Sequence, residues 1–171
     1  MKEPIRYLVA ISGAEDPGLV GFVARTLGPG SADAGAAGVE LAVLHVIETE
    51  ARGLAATDPA LRHSLWPRQA HRVTEQDLDQ ADEGRASALL ASWSDRLRAA
   101  LPGAAVTTVV RRGRAEREII AVAEELHAAA IVVCSRAGTG PNEPGPHSVG
   151  HVARFVLDHS PVPVLLVRGR L

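Results

Sequence analysis

Between Cys134 and Asp158 the chain gathers a thiol, serine hydroxyls, imidazoles and carboxylates. His147 and His151 stand four apart, which on a helix puts both on one face, the spacing of a zinc or other borderline-metal pair. No third ligand accompanies them, and two such histidines are more often a solvated face or a cap contact, so no metal site is expected. Cys134, at the carboxyl end of an apolar run, reads either as a thiolate acidified by a nearby helix start or as a buried structural cysteine, the commoner case. Ser135 or Ser148 with a histidine and Asp158 can be drawn as a hydrolase triad. Neither serine has the G-x-S-x-G elbow such a nucleophile needs, and no catalytic residue is assigned. Arg111, Arg112 and Arg114 read either as a phosphate or acidic-partner site or, the favoured reading, as a solvated strand end. His45 reads as a core histidine bonded to a neighbour.

These residues need elements to position them. Ala130 to Val133 and Val164 to Val167 are apolar without alternation, as in strands covered on both faces in a parallel sheet. Ile5 to Ile11 and Val39 to Ile47 are two further strands, and Ala105 to Val110 another. Asp16-Pro17 starts a helix with a stripe of Leu19, Val20, Phe22, Val23 and Leu27, which Gly28-Pro29-Gly30 ends. From Thr74 a long helix runs to Pro102-Gly103 with Leu78, Ala81, Leu89, Leu90, Trp93, Leu97 and Leu101 inward, and Trp93 is read as core. Ala115 to Leu126 is a helix burying Ile119, Ile120, Val122, Ala123 and Leu126. Strand and helix alternate, which argues a parallel sheet joined by right-handed crossovers. Ligands of such sheets collect beyond the carboxyl ends of the strands, so the loop from Cys134 to His147 occupies the expected functional position.

At 171 residues one domain is expected over 1–171, long enough to bury about 70% of its unfolded surface. Residues 48–73 form an insert, read as a lid, an interaction surface or a mobile segment, with a short helix from Thr57 to Leu65 and Trp66 as its most specific side chain. A net charge of -2 gives no footprint for nucleic acid or an anionic membrane. No apolar run approaches the ~20 residues of a membrane span, and one cysteine fits a reducing compartment, so a cytoplasmic protein is expected.

Several stretches resemble the universal stress protein family. Tyr7-Leu8-Val9-Ala10-Ile11 with Gly13 is similar to its opening strand and turn, and Val43-Leu44-His45-Val46 to its second strand. Gly113 followed by Ala115 to Ile120 resembles its glycine-then-helix segment, and His159-Ser160-Pro161-Val162-Pro163-Val164-Leu165-Leu166-Val167 its terminal strand. The resemblance implies a three-layer α/β sandwich, adenine nucleotide alpha hydrolase-like, with a five-stranded parallel sheet in the order 3-2-1-4-5. It also implies a homodimer paired through Val164, Leu165, Leu166 and Val167.

In nucleotide-binding members the phosphate loop reads Gly, two residues, Gly, nine residues, then Gly-Ser or Gly-Thr. Glycines let the backbone approach phosphate, and amides with a helix N-terminus supply positive charge. Here the glycine positions fall on Cys134, Ala137 and His147, and the hydroxyl on Ser148, which is expected to cap the following helix. The aspartate that usually ends the opening strand is Ser12, and the acidic residue that begins the fourth is Ala130. Pro141, Pro144 and Pro146 remove amide donors. By resemblance, a nucleotide would touch Ile11, Ser12, Gly13, Val46, Cys134, Arg136, Ala137, Gly138, Gly140, His147, Ser148 and Val149. The implied function is that of a non-enzymatic stress-response protein with a degenerate nucleotide pocket and no assigned cofactor, acting on an unidentified protein partner or small ligand. The alternative is an ATP-binding member whose Gly138, Gly140 and Ser148 hold phosphates in a shifted register, with slow ATPase activity.

Overall fold

The structure, a computed structural model, describes residues 3–13, 17–27, 38–48, 75–135 and 149–168. The expected insert, the phosphate loop from Arg136 to Ser148, and the terminators Gly28 to Gly30 lie outside them. In chain order the elements are β1 (Ile5–Ile11), α1 (Pro17–Leu27), β2 (Val39–Glu48), α2 (Glu75–Ala100), β3 (Ala105–Gly113), α3 (Ala115–Glu125), β4 (Ala130–Ser135), α4 (His151–His159) and β5 (Val164–Arg168). The five strands form one sheet, ordered β3-β2-β1-β4-β5, and every pairing is parallel. This is the expected α/β sandwich and strand order.

The period of two along each strand sorts the apolar side chains onto two faces. Val9, Ile11, Leu41, Val43, Val132 and Val167 pack on one face against Leu19, Val23 and Leu27 of α1 and Leu90, Trp93 and Leu97 of α2. Leu8, Ala42, Leu44, Ile131 and Val133 pack on the other against Ile119, Val122 and Ala123 of α3 and Ala153 and Val156 of α4. β1 and β4 therefore need apolar residues at successive positions, which is why neither alternates. Trp93 is 1% exposed, as its core reading requires, and burying a side chain of that class contributes about 1.5–3 kcal/mol.

Three local expectations change. On α2 the buried stripe is Ala86, Leu90, Trp93, Ser94 and Leu97, whereas Ala81 is exposed. The helix there serves the surface, its Asp79 and Glu83 meeting Arg112 of β3. β3 runs on through Arg111 and Arg112 instead of stopping at Val110. α4 begins at His151 with Gly150, not Ser148, as its N-cap, and Gly150 takes φ 84°, outside helical space. α3 ends in a Schellman motif, with Ala128 N–H donating to Ala123 O at 2.9 Å and His127 N–H to Glu124 O at 3.0 Å. His127 occupies the left-handed position at φ 49°. No described helix is long and apolar enough to cross a membrane.

Candidate functional site

β2 and β4 flank β1 on opposite sides, so the crossovers leave in opposite directions and the sheet's switch point lies between the carboxyl ends of β1 and β4. The register carries Ala10 opposite Leu44 on one side and Val133 on the other. One residue further along each strand come Ile11, His45 and Cys134.

Those neighbours are divided between the faces. Ile11 is buried in the α1/α2 core, and Cys134 packs half-buried against the same core. His45 is half-buried too, with Nδ1 3.4 Å from the Ile11 carbonyl oxygen, the neighbour bond expected of a core histidine. Val46 and Val149 belong to the α3/α4 side. Ser12 and Gly13 are exposed at the mouth between them, and a Cβ at Gly13 would meet nothing within 4 Å. Among the described residues the crevice thus has an apolar wall on each face and a small, uncharged lip. Arg136, Ala137, Gly138, Gly140, His147 and Ser148 lie outside the described residues.

Beside this crevice, past the ends of β2 and β3, Glu48, Gly113, Arg114, Glu116 and His151 enclose a notch of about 80 Å³. Gly113 adopts φ 146°, and a Cβ there would fall 2.9 Å from Glu118 Oε1. Glu116, in the first turn of α3, is a buried carboxylate whose Oε1 accepts from Arg114 Nε at 2.9 Å. Sequence reasoning missed it, because an acidic residue at a helix start reads as a solvated group favoured by the helix dipole.

The three arginines singled out from sequence are each engaged. Arg111 pairs with Glu125 of α3, and Arg112 donates to Asp79 Oδ1 at 3.1 Å and Glu83 Oε1 at 2.9 Å. The Glu83 bond, with Asp79 beside it, raises the Arg112 guanidinium above its ordinary pKa. A wider depression of about 500 Å³ lies there, at the β3 edge, lined by Glu83, Ser87, Val110, Arg111 and Arg112. Successive residues of an edge strand point to opposite faces, so the two arginines tie β3 to helices on both sides. Among the described residues no group of three or more histidine, cysteine or acidic side chains is placed to hold a metal ion.

The model of the universal stress protein family matches residues 6–168. Among solved structures, the chain is similar to a universal stress protein from Archaeoglobus fulgidus in complex with dAMP, at 20% identity and a TM-score of 0.56, covering 95% of this chain and 97% of that one. It is similar to the universal stress protein UspA from Lactobacillus plantarum at 16% identity and a TM-score of 0.60, covering 98% and 100%. A family protein from Arabidopsis thaliana with AMP bound matches at 14% identity and a TM-score of 0.59, covering 98% and 93%. At these identities the likeness is one of fold, and it runs nearly end to end. No curated protein sequence matches the chain.

Proposed function

The chain belongs to the universal stress protein family, and from that premise we propose that it is a non-catalytic stress-response protein of the cytoplasm, a homodimer that works by binding a partner or small ligand. Its nucleotide pocket is degenerate. One observation carries this reading: at the switch point, the lip offered by β1 is Ser12 and Gly13, with Ile11 turned into the core, and among the described residues no carboxylate stands there to meet a ribose or adenine. The sequence adds Cys134, Ala137 and His147 at the positions where phosphate approach calls for glycine.

A second reading has its own support, because two of the similar structures carry dAMP or AMP. In it, Gly138, Gly140 and Ser148 hold the phosphates in a shifted register, and a slow ATPase activity accompanies binding. Calorimetric titration with AMP, and with ATP and Mg²⁺, separates the two. The degenerate pocket predicts no heat from the wild type and measurable binding by an Ala137→Gly/His147→Gly variant. Micromolar binding by the wild type overturns it in favour of the second reading.

The homodimer is supported by the contrast between the sheet's two edges. On β3, Arg98 Nη2 donates to the outward Val106 carbonyl at 3.1 Å, occupying an acceptor that a further strand would use. On β5, Val164, Leu165 and Leu166 are only half-buried. An apolar edge of that kind calls for a cover, and a second copy supplies one.

A further inference from the structure

The β5 edge dictates how a second copy can meet it. Ile131 N–H donates to Pro163 O at 2.9 Å, so the backbone of Pro163 faces β4. The strand's alternation gives Leu165 and Val167 the same direction, and turns the N–H and C=O groups of Val164, Leu166 and Arg168 away from β4. A two-fold copy cannot pair with them in parallel. A parallel ladder sets each outward residue opposite an inward one, whereas a two-fold axis along the strands would set every residue opposite itself. An antiparallel ladder joins outward residues to outward residues and so meets the symmetry. Centred on Leu166, it pairs all five residues of β5, Val164 with the partner's Arg168 and Leu165 with the partner's Val167. Centred on Leu165, it would leave Arg168 opposite Val162, outside the strand.

A second observation lies on α4. Of the two exposed large apolar side chains among the described residues, Val110 belongs to β3 and Leu157, 43% exposed, to α4. Ala153 and Val156 turn α4 toward the sheet, and right-handed crossovers set α3 on one flank of the helix and the free edge of β5 on the other. At about 100° per residue Leu157 falls on the β5 flank, with Val152 on the α3 flank. Val164 and Leu166 point to the same face of the sheet as α4. We propose that two copies join antiparallel along β5 with Leu166 on the two-fold axis, and that Leu157 of each copy walls the interface on the α4 face. Such an axis stands perpendicular to the sheet, which places both α4 helices on one face with Leu157, Val164 and Leu166 of each copy between them. This register rests on the homodimer proposed above and adds Leu157 to it.

The test uses the whole chain in a Cys134→Ala background. Chains carrying Leu165→Cys and chains carrying Val167→Cys are mixed, allowed to exchange subunits and oxidised mildly, then separated by size without reductant. Opposite residues at a non-bonded antiparallel site have Cα atoms about 4.5 Å apart, within a disulfide's reach of about 4.4–6.8 Å. The mixture should cross-link, and neither chain alone. Cross-linking by either chain alone would move the axis off Leu166 and overturn the register while leaving the dimer. A mixture that stays uncross-linked, although sedimentation velocity shows it dimeric, would overturn the register too. Leu157→Asp, at an exposed site, should raise the dimer dissociation constant by about tenfold or more with the circular dichroism unchanged, because pairing would bury its charge. An unchanged constant would take α4 out of the interface and overturn the proposal. A monomeric wild type would overturn the homodimer reading and the register together.

Discussion

The side chain of Glu118 lies against the backbone of Gly113, so that a Cβ at position 113 would stand 2.9 Å from Oε1 and 3.2 Å from Cγ. Two costs are therefore combined at one residue, the contact itself and a φ of 146° that L-residues rarely adopt. Gly113→Ala should destabilise the chain by about 1–3 kcal/mol. Because Glu118 ends in a flexible carboxylate, most of that loss should persist in a Glu118→Ala background, with a coupling below about 0.5 kcal/mol in a denaturant double-mutant cycle. A larger coupling would assign the cost to the contact.

His127 sits where a Schellman motif favours glycine. Relief of left-handed strain, about 1–2 kcal/mol for an L-residue, outweighs the extra chain entropy of glycine. His127→Gly should therefore raise stability by about 0.5–1 kcal/mol, seen as a rise of about 2–4 °C in Tm for each kcal/mol in a chain of this size. A fall in Tm would show that the imidazole contributes more than the strain costs.

Ser94 is buried on the sheet-facing stripe of α2, and its Oγ has no hydrogen-bond partner among the described residues. Ser94→Ala removes the orphan hydroxyl and favours the helix, so urea unfolding should show a gain of about 1 kcal/mol. A loss of similar size would reveal a hydrogen-bonding partner for the hydroxyl in solution.

Pairing through β5 has a direct check in sedimentation velocity. Val164→Lys puts a charge on that edge while leaving a stem able to cover its neighbours. The dimer dissociation constant should rise at least a hundredfold with the circular dichroism unchanged. Val110→Lys on the β3 edge, where the side chain is 37% exposed, should leave the dimer intact. The reverse pattern would move the interface to β3.

Elements that bury both faces or end in strong breakers were legible in the sequence. The unbroken apolar run of β4 announced a strand covered on both faces, whereas the equally unbroken run of β5 lies at the edge of the sheet with only Val167 buried; Pro102-Gly103 marked where α2 gives way to β3. Strand order came from resemblance, because periodicity says which face of a strand is buried and nothing about its neighbour. What stayed hidden depends on partners distant in sequence. Arg112 read as a solvated strand end until Asp79 and Glu83, about thirty residues earlier, gave it partners that hold it in the strand. Glu116 gave no sign of burial, since its environment is assembled from β2, β3 and α4. Ser148 was the obvious cap by residue type, and the positive φ of Gly150 sets the start of α4 instead.

The central place of β1 also bears on the order of events as the chain is made. Its Tyr7 and Leu8 pair on one side with Leu41 and Ala42, which emerge from the ribosome soon afterwards, and on the other with Ala130 and Ile131. That second seam closes a loop covering most of the chain, and pairings of such long sequence separation form slowly. A nascent chain stalled before β4 therefore carries the middle of the sheet as a raw edge, and its most hydrophobic strand is the one waiting longest for its second neighbour. Ribosome-associated holdases would find their natural target there, at the first strand to appear and the one left longest with a bare side.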